Sequence, residues 1–120
     1  MNCSEKKSIC NNTEDIKTLI DFTRDENPQV RLAALKNMCP CKVKADIDLF
    51  WKRVLEMVMD ENDDVRYQVL HTLCDGSPLH MENDVLSAIE IFNRDKNKEI
   101  KRRAHKVLAS YRKTGRWNVL

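Results

Sequence analysis

Cys39, Cys41 and Cys74, with His71 and His80 near them in the chain, are the residues whose types and spacing come closest to a chemical site. Thiolate and imidazole are the soft ligands that zinc prefers, and three or four of them around one point would make a tetrahedral structural centre. Cys39, Cys41, Cys74 and His80 are the candidate ligands. The motif is weak, because C-x-C has no second closely spaced pair to complete it. The competing reading makes Cys39 and Cys74, which stand 35 residues apart, small apolar side chains at the end of a buried stripe. That reading is preferred, and no metal or other cofactor is expected. The cysteines, with Cys3 and Cys10, number five, and M-N-C-S-E-K-K-S lacks the apolar run of a secretory signal, so a disulfide framework is the poorer account. His71, His80 and His105 have no H-E-x-x-H spacing, and no G-x-S-x-G or Gly-rich phosphate loop is present. The chain is therefore expected to be non-enzymatic, with no small-molecule substrate.

A second constellation is electrostatic. Residues 1 to 93 carry 11 Lys/Arg and 17 Asp/Glu, whereas residues 94 to 120 carry 10 basic and 2 acidic residues, so a formal charge of +2 hides segments of −6 and +8. Within the basic segment, Lys98, Arg102, Arg103, Lys106, Arg112 and Lys113 fall outside the apolar stripe of a helix formed by Ile100, Ala104, Val107, Leu108 and Tyr111. Such a row could neutralise phosphates of a nucleic acid or another polyanion. It would equally serve as a solvated cap on the last unit of a repeat array.

The elements that must position these residues repeat along the chain. D-E-N-P-Q-V-R-L-A-A-L-K-N-M begins at Asp25, D-E-N-D-D-V-R-Y-Q-V-L-H-T-L at Asp60 and D-K-N-K-E-I-K-R-R-A-H-K-V-L at Asp95, each step being 35 residues. In this register Val30, Val65 and Ile100 align, as do Ala34, Val69 and Ala104, then Met38, Leu73 and Leu108, which is the i, i+4, i+8 stripe of a helix. Asn27, Asn62 and Asn97 suit N-caps and Pro28 suits a first turn, so helices should start near residues 28, 63 and 98. A second helix lies upstream in each unit. The middle one is clearest, with Ile47, Phe50, Trp51, Val54, Leu55 and Val58 on one broad face and Lys52, Arg53 and Glu56 outside it. Pro40, Gly76 and Pro78 mark the loops between hairpins.

Taken together, D-x-x-x-x-[VI]-[RK]-x-x-[AV]-x-x-x-[LM] on the second helix of a 35-residue hairpin resembles the HEAT repeat of the short, armadillo-like type. The resemblance spans roughly seven-eighths of the chain. It implies an all-α fold, a right-handed α-α superhelix of three helical hairpins, 11 to 45, 46 to 80 and 81 to 115. It also implies an inter-repeat ladder in which Asp25, Asp60 and Asp95 pair with Arg31, Arg66 and Lys101. The third unit departs in having Lys101 for Arg and His105 where the others have Leu35 and Leu70, a wetter edge that fits a terminal repeat.

Two Gly and three Pro among 120 residues, with 42% hydrophobic and 33% charged content, agree with a single helical domain and exclude collagen-like or disordered classes. Residues 1 to 10 are polar and are expected to be a disordered tail. Residues 116 to 120 form an apolar tail in which Trp117, Val119 and Leu120 are expected to fold back. No apolar run approaches a membrane span, so a cytoplasmic protein without membrane contact is expected. The resulting functional expectation is a scaffold that binds a protein partner through loops 40 to 45 and 75 to 81, with Lys42, Lys44, Asp75 and His80 exposed there. Nucleic-acid binding through the basic helix is the alternative, and a zinc-stabilised module is the third reading.

Overall fold

Each helical hairpin is organised by one short acidic turn that does two jobs. In the computed structural model, which describes residues 13–37 and 48–117, the Asp25 carboxylate accepts from the backbone N–H of Asn27 at 2.8 Å. Asp60 and Asp95 do the same for Asn62 and Asn97, at 2.9 and 2.8 Å. The Asn side chain then caps the next helix: Asn27 accepts from Gln29, Asn62 from Asp64 and Val65, and Asn97 from Glu99 and Ile100. A D-x-N sequence thus closes a turn and satisfies the first orphan N–H groups of a helix in five residues.

The helices that follow these caps begin where the sequence places them. α1 is Thr13–Phe22, α2 Pro28–Asn37, α3 Asp48–Glu56, α4 Asp63–Gly76, α5 Glu82–Phe92 and α6 Lys98–Thr114. A 3-10 turn, Leu79–Met81, follows Pro78 and leads into α5. The fold is all-α; no strand occurs among the described residues. α6 ends at Gly115, which adopts the left-handed conformation (φ 75°) and returns its N–H to the Tyr111 carbonyl at 2.8 Å. Only glycine enters that region without steric cost, which makes Gly115 a true helix stop.

Packing is pairwise and regular. α1 lies against α2, α3 against α4 and α5 against α6, while α2 packs on α4 and α4 on α6, and α1 on α3 and α3 on α5. The continuous core between these layers holds Trp51, Val54, Val58, Val65, Val69, Leu70, Leu73, Val85, Ile89, Phe92, Ile100, Ala104, Val107 and Leu108. Of the face expected on the middle helix, Phe50, Trp51, Val54 and Val58 are buried, Leu55 is half-buried, and Ile47 lies outside the described residues. Phe50 and Trp51 meet edge to face at 4.6 Å. Full burial of a side chain of this size stabilises by roughly 1.5–3 kcal/mol, so the middle hairpin, buried on both sides, anchors the domain.

The tail residue Trp117 folds back, as expected, and is 1% exposed. Its indole Nε1 donates to Ser77 Oγ at 2.7 Å, and Ser77 Oγ donates to the Leu73 carbonyl at 2.6 Å. A buried indole needs such an acceptor. Val119 and Leu120 lie outside the described residues.

Candidate functional site

Among the described residues, Arg31 and Arg66 are charged groups drawn into the interior. Both side chains are buried, and a buried guanidinium is tolerated only when its five donors are matched. Arg31 Nε and Nη2 both donate to the Asp60 carboxylate at 2.9 Å, and its Nη1 donates to the Asp25 and Glu26 carbonyls at 2.9 and 3.0 Å. Thirty-five residues on, Arg66 Nε and Nη2 donate to Asp95 at 2.9 and 3.1 Å and Nη1 donates to the Asp60 carbonyl at 2.9 Å. The hydrogen bonds to Asp60 and Asp95 hold the two guanidinium groups more strongly protonated than usual, against the opposing effect of burial.

This arrangement corrects the expected ladder. Arg31 takes the carboxylate of Asp60, not that of Asp25, and Arg66 takes that of Asp95, so each Arg bridges its own turn's backbone and the next turn's side chain. Each rung reaches one unit forward: the backbone N–H on an Asp carboxylate leaves room for a bidentate Arg, as at Asp60 and Asp95, while within its own turn the Arg donates to backbone carbonyls. Two ends are consequently open. Among the described residues, the Asp25 carboxylate makes no ion pair, although Arg31 feels its charge, and the exposed Lys101 has no carboxylate within ion-pair distance.

A second clamp joins the first two hairpins. Arg53, half-buried, donates from Nε to Thr23 Oγ1 at 2.8 Å and from Nη2 to the Thr23 carbonyl at 3.0 Å. Its place outside the apolar face is as expected, but its role is missed by periodicity, since nothing in the middle unit's own pattern says that α1 ends beside it.

The basic helix is less open than its sequence suggests. Lys98, Arg102, Lys106, Arg112 and Lys113 are exposed, whereas Arg103 is half-buried. Arg103 Nε donates to Glu99 at 2.9 Å and its guanidinium lies 5.2 Å from the centre of the Tyr67 ring, a cation–π contact. Arg102 also pairs with Glu99. The Glu99 carboxyl is held below its usual range by Arg103 first, with Arg102 assisting. At the foot of the same helix Tyr111 Oη donates to Glu82 at 2.8 Å, and this bond raises its phenol above the ordinary value.

The expected partner-binding loops are described in part. Asp75 and His80 are exposed, His80 Nε2 lies 3.1 Å from Asp48 Oδ1, and Leu79 beside it is 77% exposed. Lys42 and Lys44 lie outside the described residues, as do Cys39 and Cys41. Cys74 is fully buried in the core, and burial pushes its thiol up to about 12. A thiol so placed resists forming the thiolate that zinc requires. Among the described residues no group of three or more His, Cys, Asp or Glu side chains is placed to hold a metal ion. No helix among them is long and apolar enough to cross a membrane.

Sequence reasoning also passed over a groove of about 380 Å³ on α1 and α2, lined by Leu19, Phe22, Val30, Ala33, Ala34 and their polar neighbours Gln29 and Asn37. Phe22 there is 50% exposed. Val30 is half-buried where its counterparts Val65 and Ile100 are covered, a difference that only the placement of a preceding hairpin could reveal.

Compared with known proteins, the chain matches no family model, no curated protein and no solved structure.

Proposed function

We propose that the chain is a non-enzymatic, HEAT-like repeat module, a short α-α superhelix of three hairpins, whose task is to bind a protein partner. The observation that carries this reading is the recurrence, 35 residues apart, of one buried Arg-to-Asp bridge between successive turns. Identical joints of this kind suit a repeat array, and repeat arrays supply extended binding surfaces rather than enclosed reaction sites. The burial of the Cys74 thiol in the core and the commitment of both buried Arg side chains to structural hydrogen bonds agree with a module that does no chemistry.

The test is an affinity pull-down with and without nuclease. A protein retained after nuclease treatment is the expected result; loss of all bound material on nuclease treatment overturns it.

The exposure of Lys98, Arg102, Lys106, Arg112 and Lys113 along α6 favours a second reading, in which that helix contacts nucleic acid. Binding would then fall steeply between low and moderate salt, and the triple change Arg102→Ala, Arg103→Ala, Lys106→Ala would weaken it for all base sequences alike. Glu99, which pairs with both arginines of that trio, weighs against it.

A further inference from the structure

We propose that the open face of α1 and α2 docks a partner helix that presents Arg and Leu four residues apart, the R-x-x-x-L pattern that this chain uses for its own internal joints. This rests on the protein-binding reading above and names the surface and the chemistry of the partner. Three equivalent places in the fold differ in what occupies them. Asp60 and Asp95 each bind a backbone N–H and a bidentate Arg from the preceding hairpin. Asp25 makes the same bond to its backbone N–H, but among the described residues no Arg donates to its carboxylate; Arg31, which feels its charge, donates to the Asp25 backbone carbonyl instead. Val65 and Ile100 are fully buried, on α4 and α6, which pack respectively on α2 with its Arg31 and Leu35 and on α4 with its Arg66 and Leu70. Val30 lies instead in the open apolar groove with Leu19, Phe22 and Ala33.

The vacant place therefore has a stated complement: a cation for Asp25 and a branched apolar side chain one helical turn further for the groove, which is the spacing that puts both on one helix face. Charge agrees, since Asp21, Asp25 and Glu26 beside the groove are exposed. A second copy of this chain is a poor occupant in either orientation. Head to tail, it would set the exposed Lys101, Arg102 and His105 against the apolar groove; head to head, it would oppose two acidic rims.

The experiment is an NMR titration of the full-length, isotope-labelled chain with a lactam-locked helical peptide of sequence 62–73, which carries Arg66 and Leu70. Amide shifts at Leu19, Phe22, Val30 and Ala33 are expected, with at least tenfold weaker binding for the chain with Asp25→Asn, which keeps the turn, for the chain with Ala33→Glu, and for the peptide with Arg66→Ala. Absence of shifts at millimolar peptide overturns the proposal, as does equal binding by these variants. Contacts from residues 1 to 12 to the Val30 methyls in the free chain, or a dimer in sedimentation of the free chain, would assign the groove to another occupant and also overturn it. If the peptide fails while the pull-down still retains a protein, the module reading stands and only this docking surface is lost.

Discussion

The two ends of the helical array are finished by opposite means. At the α6 end, the positions that are Arg31 and Leu35, or Arg66 and Leu70, in the earlier hairpins become Lys101 and His105, both exposed. Trp117 returns over the junction and seals it with a hydrogen bond to Ser77. At the α1 end the residue types stay those of an interior unit: Asp25 keeps its turn, Val30 and Leu19 stay apolar, and Phe22 is half-exposed. One end is dressed for water and the other for contact. Polar side chains on the outer face of a helical layer disfavour stacking, and the groove of α1 and α2 has a mainly apolar lining instead.

Stability measurements would break this contrast most readily at the aromatic residues. Trp117→Ala removes a buried indole and leaves Ser77 without its donor, and should cost about 3–5 kcal/mol in urea unfolding followed by circular dichroism. Phe22→Ala, at the open end, should cost no more than about 1 kcal/mol, because half of that side chain is already in water. Equal costs would mean that the α1 groove is covered in solution.

The ladder gives the next largest difference. Asp95→Ala leaves the Arg66 guanidinium buried beside Asp63 alone, for an expected loss of about 2–4 kcal/mol, moderated by the position of the pair at the protein's edge. Lys101→Ala, one unit on, should change stability by less than about 0.5 kcal/mol. The same unfolding curves decide between them.

Converting one end into the other sharpens the comparison. The double change Lys101→Arg, His105→Leu restores the interior pattern on the trailing face and should turn the chain into a concentration-dependent, head-to-tail associating species in analytical ultracentrifugation, with Asp25→Asn reversing it. Such contacts do not close and would extend into open chains.

The smallest effect expected is in acid. Glu99, held low by Arg103 and Arg102, has a folded pKa below its unfolded value. Its contribution is therefore complete above the unfolded pKa, roughly 4.3, and disappears as pH falls through the folded one. Asp63, lowered by its hydrogen bonds to Asn97 and then Arg66, acts in the same sense. Glu99→Gln should flatten the acid limb of a stability profile without altering it near neutrality.

How much of this was legible in the sequence follows from the range of each interaction. The helix starts at 28, 63 and 98 were readable because an Asp turn and an Asn cap act within five residues, and the stripe from Ile100 to Leu108 because helical periodicity is local. The forward shift of the ladder was not, since whether Arg31 meets Asp25 or Asp60 depends on how close two hairpins lie. Arg53 on Thr23, Trp117 on Ser77 and Arg103 on Tyr67 are likewise contacts between elements, invisible to a pattern read along one helix. For the candidate site, the exposure of the basic row on α6 was readable from charge and periodicity, yet the pairing with Glu99 changes what that helix offers. The α1 groove was hidden for the opposite reason: its residues look like ordinary core, and only the packing around them shows that they form a surface.

The most direct test of the account is a pair of double-mutant cycles in urea unfolding, Arg31 with Asp60 and Arg31 with Asp25, each residue changed to Ala. A coupling energy of about 1–3 kcal/mol for Arg31 with Asp60 and about zero for Arg31 with the Asp25 side chain is the predicted result. Coupling concentrated in the Arg31 and Asp25 pair, or absent from Arg31 and Asp60, would contradict a ladder that joins each hairpin to the next.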